Sequence, residues 1–229
     1  MTQHLATLPI IYSLRHCPYA MRARLAIFKL QQKVWLRDIK LDNKPAEMLA
    51  LSTDKTVPML VLPSTKQNEV QVIEESVDIM QWALSKHDPQ HLLSPYGTTI
   101  TEMLSLIDYY DRHLIPANEA YKCAKRYQES NLDACREACE VYLRELEGRL
   151  TKHRFLMSDN ESLLDIALMP FIRQFSKVER QWYQQSPYPK LRAWLTSYLQ
   201  SPMFTKIMAK HPLWVDCRQD IVFGDFPKK

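Results

Sequence analysis

Glycine is nearly missing from this chain, with three residues in 229. So few glycines exclude the glycine-rich loops whose backbone amides cradle nucleotide phosphates, and they suit a mostly helical protein. A strong excess of one charge is missing as well. Lysine and arginine number 30 against 26 acidic residues, a formal net charge of +4, and no segment is overwhelmingly basic. That balance gives no footprint for a nucleic-acid partner. No apolar run approaches the roughly 20 residues that span a bilayer, so no membrane partner is expected. The opening stretch MTQHLATLPIIYS lacks a basic start followed by a long apolar run, and it does not read as a secretion signal. Cysteines number five, an odd count at irregular spacing. A soluble cytoplasmic protein with free thiols is the expectation.

What is present falls into two patterns. The first third alternates short apolar runs with helical spacing. LPIIYSL (8–14) reads as a buried strand. From Cys17 the apolar residues Tyr19, Ala23, Ala26, Ile27 and Leu30 recur at intervals of three and four, as on an amphipathic helix. KVWLRDIKL is a second strand, and Pro45 opens a short helix over AEMLAL. VPMLVLP and EVQVI read as two strands joined by a polar turn, STKQN, and SVDIMQWAL returns to helical spacing. The expected order is β-α-β-α-β-β-α within residues 1–87. SKHDPQHLLSPYG breaks the pattern, which places a linker at 88–96. Residues 97–229 show almost no strand signal. Helices are expected there over about 100–127, 131–150, 163–177, 188–199 and 202–210, with Pro170 kinking the third.

Three short stretches carry chemistry. In YSLRHCPYAMRARLAI, Cys17 stands where a strand ends and a helix begins. Unpaired N–H groups and the helix dipole stabilise a thiolate there. Arg15, Arg22 and Arg24 are candidate sources of further positive potential, with His16 adjacent. Pro18 suits a first helical turn. For an arbitrary cysteine a buried structural role is commoner, but position and neighbours reverse that weighting. In TVPML, Val57–Pro58 begins a strand. A cis bond would turn the Val57 backbone outward toward an extended peptide-like ligand, whereas an ordinary trans proline would be the commoner finding. In VIEES, Glu75 and Ser76 precede a helix whose N-terminus can hold a ligand carboxylate, with Glu75 free to pair with an amino group. A solvated acid at a helix cap explains the same residues.

Together CPYA, TVP and EES resemble, in order and spacing, the cytosolic glutathione S-transferases. SLLDIALMPFIRQF resembles the buried helix of that family, with Ser162 and Asp165 as its capping box, and YPKLRAWLTSYLQSPMF resembles the helices that follow. The cysteine of CPYA and the stretch DNKPAEM are similar to the omega-like, cysteine-type branch, here as a bacterial-type member. The resemblance implies a thioredoxin-like N-terminal domain and an all-helical C-terminal domain, an α/β + all-α fold class. It implies glutathione as co-substrate, a homodimer, and Cys17 as the residue that forms a mixed disulfide. Pro18, Tyr19 and Pro58 belong to the matching motifs. Val57 would pair with the cysteinyl backbone of glutathione, Glu75 and Ser76 would hold its γ-glutamyl end, and Lys44 would approach its glycyl carboxylate. Tyr109, Tyr110 and Arg112 lie on the helix that borders the acceptor pocket in this family, although core packing explains the tyrosines equally well. Tyr12 lies within the first strand and reads as packing. Lys55 stands where relatives often have glycine before TVP.

A partner sulfur for Cys17 is missing, because position 20 is Ala20. A dithiol protein resolves its mixed disulfide internally; here a second glutathione must do so. The expected activity is therefore monothiol thioltransferase or reductase chemistry. The alternatives are a transferase that conjugates glutathione to hydrophobic electrophiles, and a non-catalytic binding protein on the same fold. Cys135 and Cys139 are one helical turn apart with Cys123 on the preceding helix. A zinc site needs about four converging soft ligands, so no metal is expected.

Overall fold

A computed structural model describes residues 8–63, 70–86, 88, 91–93 and 99–224. The STKQN turn and part of the expected linker lie outside the described residues. The chain divides into two compact units, one of residues 1–90 with 205–229, the other of residues 91–204.

In the first unit, β1 (Ile10–Ser13), α1 (Pro18–Lys29), β2 (Val34–Asp38), α2 (Ala46–Leu51), β3 (Met59–Leu62), β4 (Gln71–Ile73) and α3 (Ser76–Lys86) follow one another as expected. β1 and β2 pair in parallel, Ile11 against Leu36 and Tyr12 against Arg37. Parallel neighbours require a crossover, and α1 supplies it. β3 pairs antiparallel with both β1 and β4. Alternation along β1 sends Ile11 and Tyr12 to opposite faces. On one face α1 and α3 pack together, burying Leu25, Ile27, Ile79 and Met80. The cluster around Tyr12 joins Ile39, Val57, Met59, Val61 and Met48 of α2, with Cys17 packed against it.

The C-terminal segment differs from the expectation of an all-helical domain over 97–229. After α10 (Trp214–Cys217), β5 (Ile221–Phe223) pairs antiparallel with β2, giving a five-stranded sheet in the order β4-β3-β1-β2-β5. Three residues are too few for an alternating pattern to declare itself. Only pairing with β2, far away in sequence, makes IVF a strand. The turn after it needs glycine. Gly224 has φ of 88°, and a Cβ there would fall 1.8 Å from the Gln32 carbonyl oxygen.

The second unit is helical: α4 (Ile100–Tyr127), α5 (Leu132–Lys152), α6 (Leu163–Phe175), α7 (Arg180–Gln185) and α8 (Pro189–Leu199). The short α7 was not legible in the pattern. α9 (Pro202–Ile207) crosses from this unit to the first. α6 runs unbroken through Pro170. At its start the Asp165 carboxylate accepts hydrogen bonds from the Ser162 N–H (3.0 Å) and hydroxyl (2.6 Å), the Leu156 N–H (3.0 Å) and the Trp194 Nε1–H (2.9 Å). Burial pushes its pKa up to about 6, with those donors acting against the shift. The capping pair expected at Ser162 and Asp165 therefore also ties α6 to α8.

The β5 turn is open to test. Replacing Gly224 by alanine forces a side chain into left-handed backbone and onto the Gln32 carbonyl. Stability should fall by more than about 1 kcal/mol, measured by urea unfolding. An unchanged midpoint would show that β5 does not need this turn.

Candidate functional site

Cys17 caps α1, with Pro18 in the first helical position. Its N–H closes a turn onto the Leu14 carbonyl at 3.1 Å. The loop before it is held from within the core. The buried Arg24 donates from its guanidinium to the carbonyl oxygens of Leu14 (3.3 Å) and Arg15 (2.6 Å) and to the Ser13 hydroxyl. Arg22 and Arg24, read from the sequence as candidate sources of positive potential, have a structural role as well. Both are buried and build the site's frame. Arg22 Nε donates to the Ser76 hydroxyl at 2.8 Å, joining α1 to the start of α3, and its guanidinium lies 5.3 Å from the Tyr19 ring.

Opposite Cys17 stands the start of β3. The Val57–Pro58 bond is cis, and the Cys17 thiol donates to the Val57 carbonyl at 3.8 Å. Val57 itself lines a pocket of about 310 Å³ with Tyr19, Thr56, Pro58, Glu74, Glu75 and Ser76. That volume falls at the lower end of those typical for small-molecule sites. Glu75 is exposed, and its carbonyl accepts the Ile79 N–H at 3.0 Å as α3 begins. The free N–H groups of that first turn favour an anion. Tyr19, Val57, Pro58, Glu75 and Ser76 thus line one pocket, and Cys17 adjoins it through its contact with Val57.

Lys44 sits one step away. Its ammonium donates to the Lys55 carbonyl at 2.7 Å. Lys55 adopts φ of 54°, the left-handed region that glycine commonly fills. The Lys55 N–H donates to the Ser52 hydroxyl (2.6 Å), which donates to Glu74 (2.5 Å). This Lys44–Lys55–Ser52–Glu74 chain was not foreseen. Nothing local singles out Ser52, because its partners come from two different turns.

The candidate acceptor residues Tyr109, Tyr110 and Arg112 belong to α4. In the helical unit, the Tyr109 and Tyr110 hydroxyls donate to Glu145 of α5 at 3.1 and 3.5 Å. Tyr110 is buried, and burial pushes its pKa up to about 12. Arg112 is exposed and pairs with Asp108 at 2.8 Å within α4. Tyr12 is core packing, as read from its place in β1. All five cysteines are free. Cys139 is buried, which pushes its thiol pKa up to about 12, and Cys217 is exposed. Among the described residues no group of three or more His, Cys, Asp or Glu is arranged to hold a metal ion. Among them, too, no helix is long and apolar enough to cross a membrane. A larger concavity of about 650 Å³, lined by Pro9, Leu62, Trp82 and Lys86 among others, lies at the far end of the strands from Cys17 and offers no thiol.

The fold and this geometry define a thioredoxin-like domain with a cysteine at the start of its first helix, followed by a helical unit. The glutathione S-transferase N-terminal domain model matches residues 11–91, and the C-terminal domain model matches residues 129–197. The chain belongs to the glutathione S-transferase family. It is 24% identical over 206 residues to mouse glutathione S-transferase omega-1, covering 87% of this chain and 81% of that protein. It is 26% identical over 199 residues to pyrimidodiazepine synthase of Drosophila melanogaster, covering 84% and 77%. Rice (Oryza sativa subsp. indica) protein IN2-1 homolog B is 31% identical over 173 residues, 72% of this chain and 64% of the relative. Among solved structures, a glutathione transferase family member from Pseudomonas fluorescens, crystallised with two glutathione bound, superposes with a TM-score of 0.76 at 15% identity, over 90% of this chain and 95% of that one. Glutathione transferase Omega 3C from Trametes versicolor gives 0.73 at 16% identity, over 90% and 91%.

The Arg22–Ser76 contact yields a test of the frame. Ser76→Ala leaves the buried Arg22 Nε–H without this acceptor, which should cost about 1–3 kcal/mol of stability. Urea unfolding of the variant measures it, and a loss near zero would mean that Arg22 does not depend on Ser76.

Proposed function

We propose that this chain is a glutathione-dependent thioltransferase whose nucleophile is Cys17. One observation carries the reading: the Cys17 thiol sits at the start of α1, 3.8 Å from the Val57 carbonyl, beside a pocket whose lining includes Glu75 and Ser76. The omega-type relatives and the glutathione-bound neighbours support the choice of ligand.

In this reading glutathione lies extended across the pocket. The Val57 backbone pairs with its cysteinyl residue, and Pro58 and Tyr19 form the adjoining walls. Ser76 and the first-turn amides of α3 receive the γ-glutamyl carboxylate, while Glu75 pairs with the neighbouring ammonium. Lys44 exchanges the Lys55 carbonyl for the glycyl carboxylate. Pro18 holds the first turn of α1 so that its dipole faces the sulfur.

The chemistry is two thiol–disulfide exchanges. The Cys17 thiolate attacks the glutathione sulfur of a glutathionylated acceptor. The Cys17–glutathione bond forms, the acceptor's S–S bond breaks, and the acceptor leaves as a thiolate that takes a proton from water. A second glutathione thiolate then attacks the glutathione sulfur of the Cys17 adduct. Oxidised glutathione departs and Cys17 is restored as thiolate. Ala20 supplies no second thiol, so the second step depends on free glutathione. A reducing cytoplasm, rich in that thiol, and a two-fold homodimer belong to the same proposal.

Cys17→Ser tests it. A serine alkoxide is not available at neutral pH, so thioltransferase turnover with a mixed-disulfide substrate should fall by at least about a hundredfold, to background. Glutathione should still bind, because the residues that hold its backbone are unchanged. The new hydroxyl can donate to a glutathione thiolate, so conjugation to an aryl halide is expected to hold or rise. Thioltransferase activity that survives in the serine variant would refute the mechanism.

A further inference from the structure

The C-terminal segment does more than add a strand. The Lys206 ammonium stands 6.0 Å from the Phe28 ring centroid. The His211 backbone N–H donates to the buried Asp38 carboxylate at the end of β2. Trp214, almost wholly buried, meets the Tyr12 ring in a T-shaped arrangement with centroids 6.4 Å apart. Two guanidiniums lie over its indole, Arg37 at 4.1 Å and Arg218 at 4.4 Å. Arg37 donates to the Tyr12 hydroxyl at 2.8 Å and to both carboxylate oxygens of Asp220 at 2.6 and 3.2 Å. Arg218, in left-handed backbone just past α10, reaches Glu47 in the first turn of α2 at 2.7 Å.

α2 needs such support. It has six residues and buries only Met48, and an isolated helix of that length has no stability of its own. Its place is set by Met48 in the Tyr12 cluster and by Glu47 on Arg218. An exposed ion pair by itself contributes little. Here Arg218 is stacked on Trp214, which fixes the guanidinium before it meets the carboxylate. Lys44 and Pro45 lead directly into α2, so whatever holds α2 also holds Lys44.

We propose that Trp214 and Arg218 are positioning residues for glutathione: by clamping α2 they hold Lys44 in place for the ligand's glycyl carboxylate without touching the ligand. The proposal rests on the reading of the pocket as a glutathione site. It separates two properties of that site. Affinity for glutathione depends on the clamp, whereas the reactivity of Cys17 depends on α1 and the Arg24-bound loop.

Two readouts on the full-length protein test this separation. Glutathione binding is measured by isothermal titration calorimetry, and Cys17 alkylation by the small neutral reagent iodoacetamide is followed by mass spectrometry. The variants are Trp214→Ala, Trp214→Phe, Arg218→Ala, Glu47→Gln and the Arg218→Ala/Glu47→Gln double variant. Trp214→Ala should weaken glutathione binding roughly tenfold and Arg218→Ala about threefold, with the alkylation rate unchanged. Trp214→Phe keeps an aromatic face and should stay near wild type. The double variant should be no weaker than the weaker of its two single parents, the mark of one shared interaction. Wild-type affinity in both Trp214→Ala and Arg218→Ala would overturn the proposal. So would affinity and alkylation rate falling in parallel, which would mean general loss of the fold. Failure of the wild-type protein to bind glutathione would instead remove the ligand assignment, and the clamp proposal with it.

Discussion

The site depends on one buried side chain, Tyr12. It belongs to a cluster to which α2 contributes Met48 and β3 contributes Met59 and Val61, together with Ile39 and Val57, and Cys17 packs against that cluster. Fully burying a side chain of this size is worth about 2–3 kcal/mol, and here one ring serves three separate chain segments. The strand end before Cys17, the Val57–Pro58 turn and α2 are unconnected in sequence. Each contributes an apolar residue to this one cluster or packs one against it. A hydroxyl at the tip of that ring would be costly to bury unpaired, and the Arg37 guanidinium at 2.8 Å answers it.

This arrangement is consistent with the proposed mechanism, in which the first-strand tyrosine has no catalytic role. Its hydroxyl accepts a hydrogen bond from Arg37, and burial raises its pKa, which keeps it neutral. The proposed mechanism gives the chemistry to the cysteine five positions on, where the chain leaves the sheet and enters a helix. Two buried arginines give that junction its stiffness: Arg24 binds the loop before the cysteine, and Arg22 binds the helix after it to Ser76. A cysteine at that point works without a second sulfur only if a soluble thiol completes the cycle, and Ala20 makes that demand explicit.

Much of this was legible because it is local. Strand end, Cys17, Pro18 and helix start are contiguous, as are Glu75, Ser76 and α3, and the long α4 declares its own period over the very residues expected. What was not legible depends on distant pairing. Arg22 and Arg24 are charged residues on a helix, yet they lie inside, where they donate to the Ser76 and Ser13 hydroxyls and to the Leu14 and Arg15 carbonyls. Ser52 and Glu74 meet only when two turns fold together. The last helix and strand are four and three residues long, below the length at which a periodic pattern can be read. Their docking on β2, Tyr12 and α2 moves 205–229 out of the helical unit, where composition alone had put it. Tyr109 and Tyr110 read equally as pocket lining or as packing, and their hydroxyls donate to Glu145 of α5.

The central claim is that Cys17 carries glutathione as a mixed disulfide. Incubating the reduced protein with oxidised glutathione, followed by intact-mass and peptide-mass measurement, tests it most directly. The account predicts a mass gain of one glutathionyl group, located on Cys17 and removed by added reduced glutathione. An adduct confined to exposed Cys217, or no adduct on a protein whose Cys17 still reacts with a small alkylating reagent, would contradict it.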